Sequence, residues 1–318
     1  MSEHPRIAIV GAGLIGCAWA VSFARGGCSV RLFDRSADVA GAAPASIAAI
    51  AGELEAADLL GETDAASMMR NIDIAATLPE ALDGAIHVQE NTPERLDVKK
   101  AVFAELDAIA DPAATLASST SALLPSAFTE DLPGRARCLV AHPINPPSLI
   151  PAVEVVPAPW TAPGTMSDCM ALMRRIGQMP IRMKREIDGF IMNRLQSALL
   201  HEAFRLVADG VVEPEDVDIG IAHGLAPRWA LMGPFETIDL NAPGGVRDYV
   251  ERYGDMYRRI GAEQKRLVDW EGDTLDRIDT ARRAELPVTR INQAQARRDS
   301  RLIALMKHLR DDAQRQTS

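Results

Sequence analysis

The chain has 318 residues, 47% of them hydrophobic and 25% charged, which is typical of a soluble globular protein with room for two domains. Its formal net charge of −10 argues against nucleic acid or an anionic membrane as a partner. No apolar run approaches the ~18–20 residues that span a bilayer, and the first residues lack a signal-peptide pattern. The scattered cysteines form no zinc or C-x-x-C motif, so we expect no metal site and reduced thiols in the cytoplasm at Cys17, Cys28, Cys138 and Cys169.

The first predicted element is a strand that leads into a glycine-rich turn. Apolar residues 7–10 precede G-x-G-x-x-G at Gly11, Gly13 and Gly16, and a helix-forming run follows over residues 17–25. Gly11 permits the tight turn, Gly13 lets the backbone approach a pyrophosphate, and Gly16 lets the helix pack closely on the sheet. The unpaired N–H groups of the first helical turn favour an anion. The pattern predicts a dinucleotide site.

The second predicted strand, Ser29–Phe33, ends at an acidic residue. Asp34 follows Gly16 by eighteen residues, where a carboxylate can bind the ribose 2′-hydroxyl of the cofactor. Its charge would repel a 2′-phosphate, so the sequence favours NAD over NADP. Arg35 is the one neighbour that could neutralise such a phosphate, and we interpret it as a solvated side chain.

The next elements alternate between strands and helices up to about residue 185. A helix is predicted over residues 37–60, with a further helical piece to residue 70, and strands over 86–90, 115–118, 138–142 and 153–156. This alternation predicts an α/β fold with a Rossmann-type, doubly wound, mostly parallel sheet. We place the NAD-binding domain at residues 1–188.

Residues 189–318 show almost no strand pattern and are predicted to form an all-helical domain for the substrate cleft and dimerisation. Helices are expected over residues 190–209, from 214, and over 244–259, 262–282 and 292–315. Helical domains of this kind commonly form homodimer interfaces.

One histidine is placed for catalysis. Of the six histidines, His142 alone lies where a doubly wound sheet places its chemistry, at the carboxyl end of a strand. Twelve residues later Glu154 lies among valines, where a carboxylate is costly to bury without a partner. A carboxylate fixes the tautomer of an imidazole and supports it as a proton acceptor. Spacing alone leaves open an ordinary strand-end histidine with a surface glutamate.

Six segments together resemble, in this order, the motifs of the 3-hydroxyacyl-CoA dehydrogenase superfamily. They are Gly11-Ala12-Gly13-Leu14-Ile15-Gly16, Ser118-Ser119-Thr120-Ser121, His142-Pro143-Ile144-Asn145-Pro146, Val153-Glu154-Val155-Val156, Gly189-Phe190-Ile191-Met192-Asn193-Arg194-Leu195 and Met232-Gly233-Pro234-Phe235-Glu236. The resemblance implies NAD-dependent oxidation of an (S)-3-hydroxy acid unit to the 3-keto form. It implies His142 as general base and Glu154 as its orienting partner. It also implies Ser121 and Asn193 as hydrogen-bond partners of the substrate oxygen, and Glu94, Lys99 and Asn145 as residues at the NAD site.

Departures from the acyl-CoA motifs narrow the resemblance. Ser-Ser-Thr-Ser replaces Ser-Asn-Thr-Ser, and His-Pro-Ile-Asn-Pro replaces His-Phe-Phe-Asn-Pro. Both changes are similar to the L-gulonate 3-dehydrogenase (lambda-crystallin) branch, with enzymes of carnitine and other free 3-hydroxy acids nearby.

The distribution of charged residues along the chain favours a free acid over a CoA thioester as the substrate. The stretch that matches the CoA-binding helices, residues 53–73, holds six acidic residues against Arg70 alone and would repel CoA phosphates. Arg228 precedes the Met232-Gly233-Pro234 segment, and its guanidinium could bind a substrate carboxylate or form an ion pair at a dimer interface. We therefore expect an NAD-dependent dehydrogenase of L-gulonate or a related small acid. The alternatives are an (S)-3-hydroxyacyl-CoA dehydrogenase and a structural, crystallin-like NAD-binding protein.

Overall fold

The computed structural model describes residues 4–316, and an eight-stranded sheet forms the frame of its first part. The strands are β1 Arg6–Val10, β2 Ser29–Phe33, β3 Ile72–Ile74, β4 His87–Glu90, β5 Thr115–Ser118, β6 Cys138–Pro143, β7 Ala152–Pro157 and β8 Met179–Arg182. Their order across the sheet is β3-β2-β1-β4-β5-β6-β7-β8, and only the β6–β7 pair is antiparallel. The predicted Rossmann-type sheet is confirmed. The strand order reverses between β1 and β4, which is where such folds bind their ligands.

Helices cover both faces of this sheet. They are α1 Leu14–Arg25, α2 Ala37–Ala56, α3 Ala65–Met69, α4 Leu78–Leu82, α5 Leu96–Ile109, α6 Pro125–Thr129 and α7 Pro163–Arg175. Trp19 and Phe23 of α1 belong to the apolar cluster on one face, and Phe103 and Phe128 belong to the cluster on the other. The central strands are buried on both faces, and they carry apolar residues together with buried polar ones such as Gln89 and Glu154.

The chain divides into two compact units. Unit 1 contains Met1–Ile191 and Arg301–Ser318, and unit 2 contains Met192–Ser300. The remaining helices are α8 Met192–Ala208, α9 Pro214–Ile219, α10 Ala226–Trp229, α11 Pro234–Leu240, α12 Gly245–Glu263, α13 Gly272–Glu285 and α14 Ile291–Gln316. The sequence placed all of residues 189–318 in one domain, whereas the end of α14 belongs to unit 1. No helix within residues 4–316 is long and apolar enough to cross a membrane.

Several predicted boundaries differ from the structure. The helix predicted over 37–60 ends at Ala56, because Asp58 and Gly61 adopt positive φ values of 60° and 75° and turn the chain. The helix predicted over 262–282 begins only at Gly272, which has a φ of 57°. The short strands β3 and β8 were not predicted.

Candidate active site

The glycine-rich turn forms a cradle at the end of β1. Gly11 has a φ of 98°, and a Cβ atom there would lie 2.7 Å from the Asn91 carbonyl oxygen. A Cβ on Gly16 would lie 1.9 Å from the Gly11 carbonyl oxygen, so this position requires glycine. Gly13 is the N-cap of α1 and has no heavy atom within 4 Å of the Cβ position. The space over Gly13, in front of the N–H groups of Leu14 and Ile15, therefore fits the pyrophosphate of a dinucleotide.

Asp34 lies at the end of β2, beside this cradle. One carboxylate oxygen accepts the Ala12 backbone N–H at 2.8 Å and the other accepts the Ser36 N–H at 2.8 Å. Both residues Asp34 and Gly13 line a groove of about 450 Å³. The two backbone bonds hold the carboxylate in place for a ribose hydroxyl, since each oxygen retains a further lone pair.

Arg35, which could have accepted a 2′-phosphate, is engaged elsewhere. Its guanidinium forms an ion pair with Glu105 of α5. Both residues line the Asp34 groove, so the positive charge is already compensated there.

His142 and Glu154 form a buried pair across the antiparallel strands β6 and β7. The two residues are directly opposite in the register, and His142 Nδ1 lies 2.8 Å from Glu154 Oε2. Glu154 is fully buried and His142 is 4% exposed. A carboxylate at Nδ1 leaves Nε2 as the nitrogen that can accept a proton. In the described part of the chain, no hydrogen-bond partner of Nε2 is found among protein groups.

Two residues that the sequence analysis did not use complete this pair. The Ile191 backbone N–H donates to Glu154 Oε1 at 2.6 Å, which fixes the second carboxylate oxygen. The buried Phe190 ring lies 5.7 Å from the His142 ring, and Phe190 adopts an unusual φ of 50°. In the sequence, the Gly189-Phe190 segment was noted only as one of the motifs that resemble the dehydrogenase superfamily. No local sequence pattern predicts that Phe190 and Ile191 contact the His142–Glu154 pair.

Ser121 is held by Glu94. One Glu94 carboxylate oxygen accepts the backbone N–H groups of Ser121 and Ala122, each at 3.0 Å, and the Thr120 hydroxyl. Ser121 itself is exposed. In this structure Glu94 therefore organises the loop that carries Ser121, and the implied contact between Glu94 and NAD stays a prediction.

Lys99 is buried against an acidic partner. Its Nζ lies 2.9 Å from each Glu90 carboxylate oxygen and 2.9 Å from the Thr92 carbonyl oxygen. The Ser118 hydroxyl donates to the same carboxylate at 2.7 Å. Thr92 lines the dinucleotide groove and Lys99 does not. Lys99 thus supports the groove from behind, and a direct contact with NAD stays a prediction.

The remaining predicted site residues are Asn145, Asn193 and Arg228. Asn145 is exposed and precedes a cis peptide bond to Pro146. Asn193 in the first turn of α8 and the exposed Arg228 in α10 belong to unit 2. No hydrogen bond or ion pair of the Arg228 side chain is found within residues 4–316, and its charge acts on the nearby Tyr249 of α12.

Possible metal ligands were also sought in the described part of the chain. Among residues 4–316, no group of three or more His, Cys, Asp or Glu side chains could hold a metal ion. The arrangement that can do chemistry is the dinucleotide cradle together with the His142–Glu154 pair, which can accept a proton.

Comparison with known proteins places this arrangement in a family. The family model for the 3-hydroxyacyl-CoA dehydrogenase NAD binding domain matches residues 6–187, and the model for the C-terminal domain of the same enzymes matches residues 189–274. A lambda-crystallin homolog of Rattus norvegicus is 41% identical over 313 residues, with 98% of this chain and 95% of that protein covered. A 3-hydroxyacyl-CoA dehydrogenase of Gibberella moniliformis is 34% identical, with 96% and 94% covered.

One solved structure is similar to nearly the whole of this chain. The NAD+-dependent dismutase 5-formyl-3-hydroxy-2-methylpyridine 4-carboxylic acid 5-dehydrogenase matches with a TM-score of 0.81 and 26% identity, covering 96% of this chain and 99% of that one. The likeness extends over both units.

Proposed function

We propose that this chain, which belongs to the 3-hydroxyacyl-CoA dehydrogenase family and is an NAD-dependent oxidoreductase acting on CH–OH groups, uses a small free 3-hydroxy acid as its substrate. The product is the 3-keto acid, and L-gulonate is the leading candidate. The main observation that supports this chemistry is the buried pair of His142 and Glu154, in which Nδ1 lies 2.8 Å from Oε2.

The chemistry divides between the cofactor and the chain. A bound NAD would supply the hydride acceptor for C3 of the substrate, and the Gly11–Gly16 turn and Asp34 would hold it. His142 then has to accept the hydroxyl proton at Nε2, since Nδ1 is occupied by Glu154. Glu154 balances the imidazolium that forms, and the Ile191 N–H keeps its carboxylate oriented. Ser121 and Asn193 are the proposed hydrogen-bond partners of the substrate oxygen.

Surface charge supports the free acid over a CoA thioester. All six acidic residues between 53 and 73 are exposed: Glu53, Glu55, Asp58, Glu62, Asp64 and Asp73. Arg70 is the only basic residue within this stretch, but the structure adds Arg310 of α14, whose guanidinium lies 3.1 Å from the Asp58 carboxylate. Five uncompensated carboxylates against one arginine still repel the phosphates of CoA. The solved relative described above is itself named for a carboxylic acid.

Arg228 is the proposed partner of the substrate carboxylate. Its side chain is exposed, and no carboxylate is found paired with it within residues 4–316. A charge-assisted pair contributes ~1.5–3 kcal/mol, so Arg228→Met should lower kcat/KM for free acids by about 10–150-fold. The loss should appear mainly in KM if the contact is equal in ground and transition states.

A substrate panel tests the proposal. NADH absorbance is followed with L-gulonate, 3-hydroxybutyrate, 3-hydroxypropionate, carnitine and 3-hydroxybutyryl-CoA. Arg298→Met is the matched control, since Arg298 is an exposed arginine of unit 2 that pairs with its neighbour Asp299. Higher kcat/KM for the acyl-CoA than for every free acid would overturn the proposal.

The acyl-CoA dehydrogenase is the second candidate, and the 34% identity to the Gibberella moniliformis enzyme of that name favours it. It would use the same His142 and Glu154. A structural, crystallin-like role is the third, and it is favoured by the lambda-crystallin relatives. Inactivity on the whole panel would support it.

We also propose a cytoplasmic homodimer that forms through unit 2. Large apolar side chains are exposed on α11 and α12, among them Phe235, Leu240, Val250, Tyr253 and Tyr257. Several large apolar side chains exposed on two neighbouring helices favour a protein partner. The four cysteines are free and buried, in keeping with a reducing compartment.

A further inference from the structure

A group of uncharged polar side chains lies behind the candidate site, with His87 and Gln89 buried and Ser119 and Asn91 half-buried, and the proposed chemistry uses none of them. His87 and Gln89 belong to the central strand β4 and are 1% and 0% exposed. Ser119 follows β5, the next strand. Burying such groups is costly unless each is hydrogen-bonded, so their arrangement requires a physical explanation.

Ser119 is the centre of this group. Its hydroxyl accepts the Trp19 indole N–H at 3.0 Å and the Gln89 side-chain N–H at 2.7 Å. It donates to Asn91 Oδ1 at 2.7 Å. A hydroxyl has one hydrogen to donate and two lone pairs, so Ser119 has no unused capacity and one orientation.

Asn91 connects Ser119 to the cofactor groove. Its side-chain N–H donates to the Gln89 carbonyl at 2.9 Å, and its backbone N–H donates to the Val10 carbonyl at 2.7 Å. Its own carbonyl oxygen is the atom that a Cβ on Gly11 would meet. Because Asn91 lines the groove, the Ser119 hydroxyl fixes one wall of the dinucleotide site.

Gln89 connects Ser119 to the strand of His142. Its side-chain nitrogen also donates to the Ala141 carbonyl at 3.2 Å, and Ala141 immediately precedes His142. With both amide hydrogens donated, Gln89 Oε1 is left to accept from His87 Nε2 at 2.9 Å. An amide oxygen can only accept, so His87 Nε2 is the donor of this bond. Burial lowers the pKa of His87 to about 4, so the imidazole is neutral near pH 7.

We propose that Ser119 and Gln89 are positioning residues that hold the cofactor wall at Asn91 in register with His142. The inference rests on the proposed function, in which His142 accepts the proton. Hydride and proton leave the same substrate carbon–oxygen unit, so the groove and the imidazole have to be aligned. A misplacement of about 1 Å can cost on the order of 100-fold in rate.

Removal of the Ser119 hydroxyl tests this. In Ser119→Ala, the Trp19 N–H, a Gln89 N–H and the Asn91 amide oxygen lose their partner, and we expect kcat to fall about 10–100-fold. KM for the substrate and Kd for NAD should stay within about threefold, because no group that touches either molecule is removed. The deuterium isotope effect on kcat, measured with substrate labelled at C3, should rise as hydride transfer becomes slower.

A matched control separates positioning from general stability. The Thr129 hydroxyl of α6 also accepts an indole N–H, from Trp160 at 3.1 Å, and donates to the Pro125 carbonyl at 2.6 Å. Thr129→Val removes an equivalent bond away from this group. It should lower the melting temperature about as much as Ser119→Ala while kcat stays normal.

A second variant tests the Ala141 end of the link. Gln89→Met keeps the length of the side chain but removes both donors, and it should show the same loss of kcat. If the two residues act as one unit, the double variant should lose little more than either single variant. Should Ser119→Ala fold poorly, the Gln89→Met result decides the question.

The outcomes distinguish this inference from the proposed function. All rates are measured on whichever substrate of the panel is best, so an acyl-CoA preference would overturn the free-acid proposal alone. Normal kcat and an unchanged isotope effect in both Ser119→Ala and Gln89→Met would overturn the inference, even with His142 confirmed as the base. A loss of kcat equal to that of Thr129→Val would overturn it as well.

Discussion

At the scale of single residues, the burial of Glu154 explains why His142 suits proton transfer. A fully buried carboxylate is tolerated because Nδ1 of His142 and the Ile191 N–H each bind one of its oxygens. Rotation of the imidazole would therefore break its hydrogen bond to this buried carboxylate. The pair fixes the tautomer and directs Nε2 to the reaction.

Substitution of either member tests these roles. We expect His142→Gln to lower kcat by roughly 10²–10⁴ and to leave NAD binding unchanged, because the cradle is formed by other residues. Glu154→Gln should cost less and move the pH–rate profile, because the imidazole loses its charged partner. Steady-state rates from pH 5 to 9 and NAD titration provide the measurement. Near-normal turnover of the His142 variant would place the proton acceptor elsewhere.

His87 gives a pH dependence of stability. Burial lowers its pKa from 6.5 to about 4, so the unfolded chain binds this proton more readily than the folded one between those values. Stability should fall as the pH drops below 6.5 and should level off below 4. Between pH 7 and 5 this single group accounts for about 2 kcal/mol.

The variant His87→Gln isolates that contribution, since it retains a side-chain N–H for Gln89 and has no titrating group. Urea unfolding of both proteins at pH 7 and pH 5 provides the comparison. The unmodified protein should lose about 2 kcal/mol more than the variant over this range. Equal losses would show that His87 does not titrate in this window.

At the scale of elements, the β1–α1 junction separates two uses of glycine. Gly16 is required by the fold, because its Cβ position is 1.9 Å from a backbone oxygen. Gly13 has an ordinary φ of −71° and empty space around its Cβ position, so no steric contact within the chain requires glycine there. The same turn therefore offers a structural glycine and a binding glycine three residues apart.

Alanine at the two positions should act in opposite ways. Gly16→Ala should destabilise the protein by at least about 1–3 kcal/mol, since backbone has to move. Gly13→Ala should lower the free energy of unfolding by no more than about 1 kcal/mol, the difference between glycine and alanine at an N-cap, but bind NAD at least about tenfold more weakly, a loss of roughly 1.4 kcal/mol. Urea unfolding and NAD titration measure the two effects. Normal NAD affinity in Gly13→Ala would mean that the pyrophosphate does not approach this glycine.

At the scale of the whole molecule, the proposed homodimer predicts a mass of twice 34.3 kDa by light scattering. The pair Val250→Glu and Tyr253→Glu places charge on the apolar surface of α12 and should give monomers. Leu275→Glu is the control, because Leu275 is an exposed leucine of α13 in the same unit. A monomeric unmodified protein, or dissociation caused equally by Leu275→Glu, would contradict an interface on α11 and α12.

The sequence determined those features whose physical cause lies within a few neighbouring residues. A G-x-G-x-x-G turn, an acidic residue at the end of β2 and a glutamate within an apolar strand each have a local requirement that restricts residue type. The pairing of His142 with Glu154 was also accessible, since twelve residues allow two adjacent strands and a buried carboxylate needs a partner. The sheet followed from the alternation of strands and helices.

Tertiary structure alone decided what depends on contacts between distant segments. β3 and β8 are three and four residues long, and they form only because β2 and β7 supply hydrogen-bond partners. Residues 301–316 belong to unit 1 through contacts such as that of Arg310 with Asp58, which α14 did not reveal by itself. Gln89 and Ser119 are hydrogen-bonded although they are thirty residues apart in the sequence. Lys99 and Glu90 form an ion pair that is buried in the core. Their polar groups are bonded because the sheet brings them together, and no local sequence pattern encodes these long-range contacts.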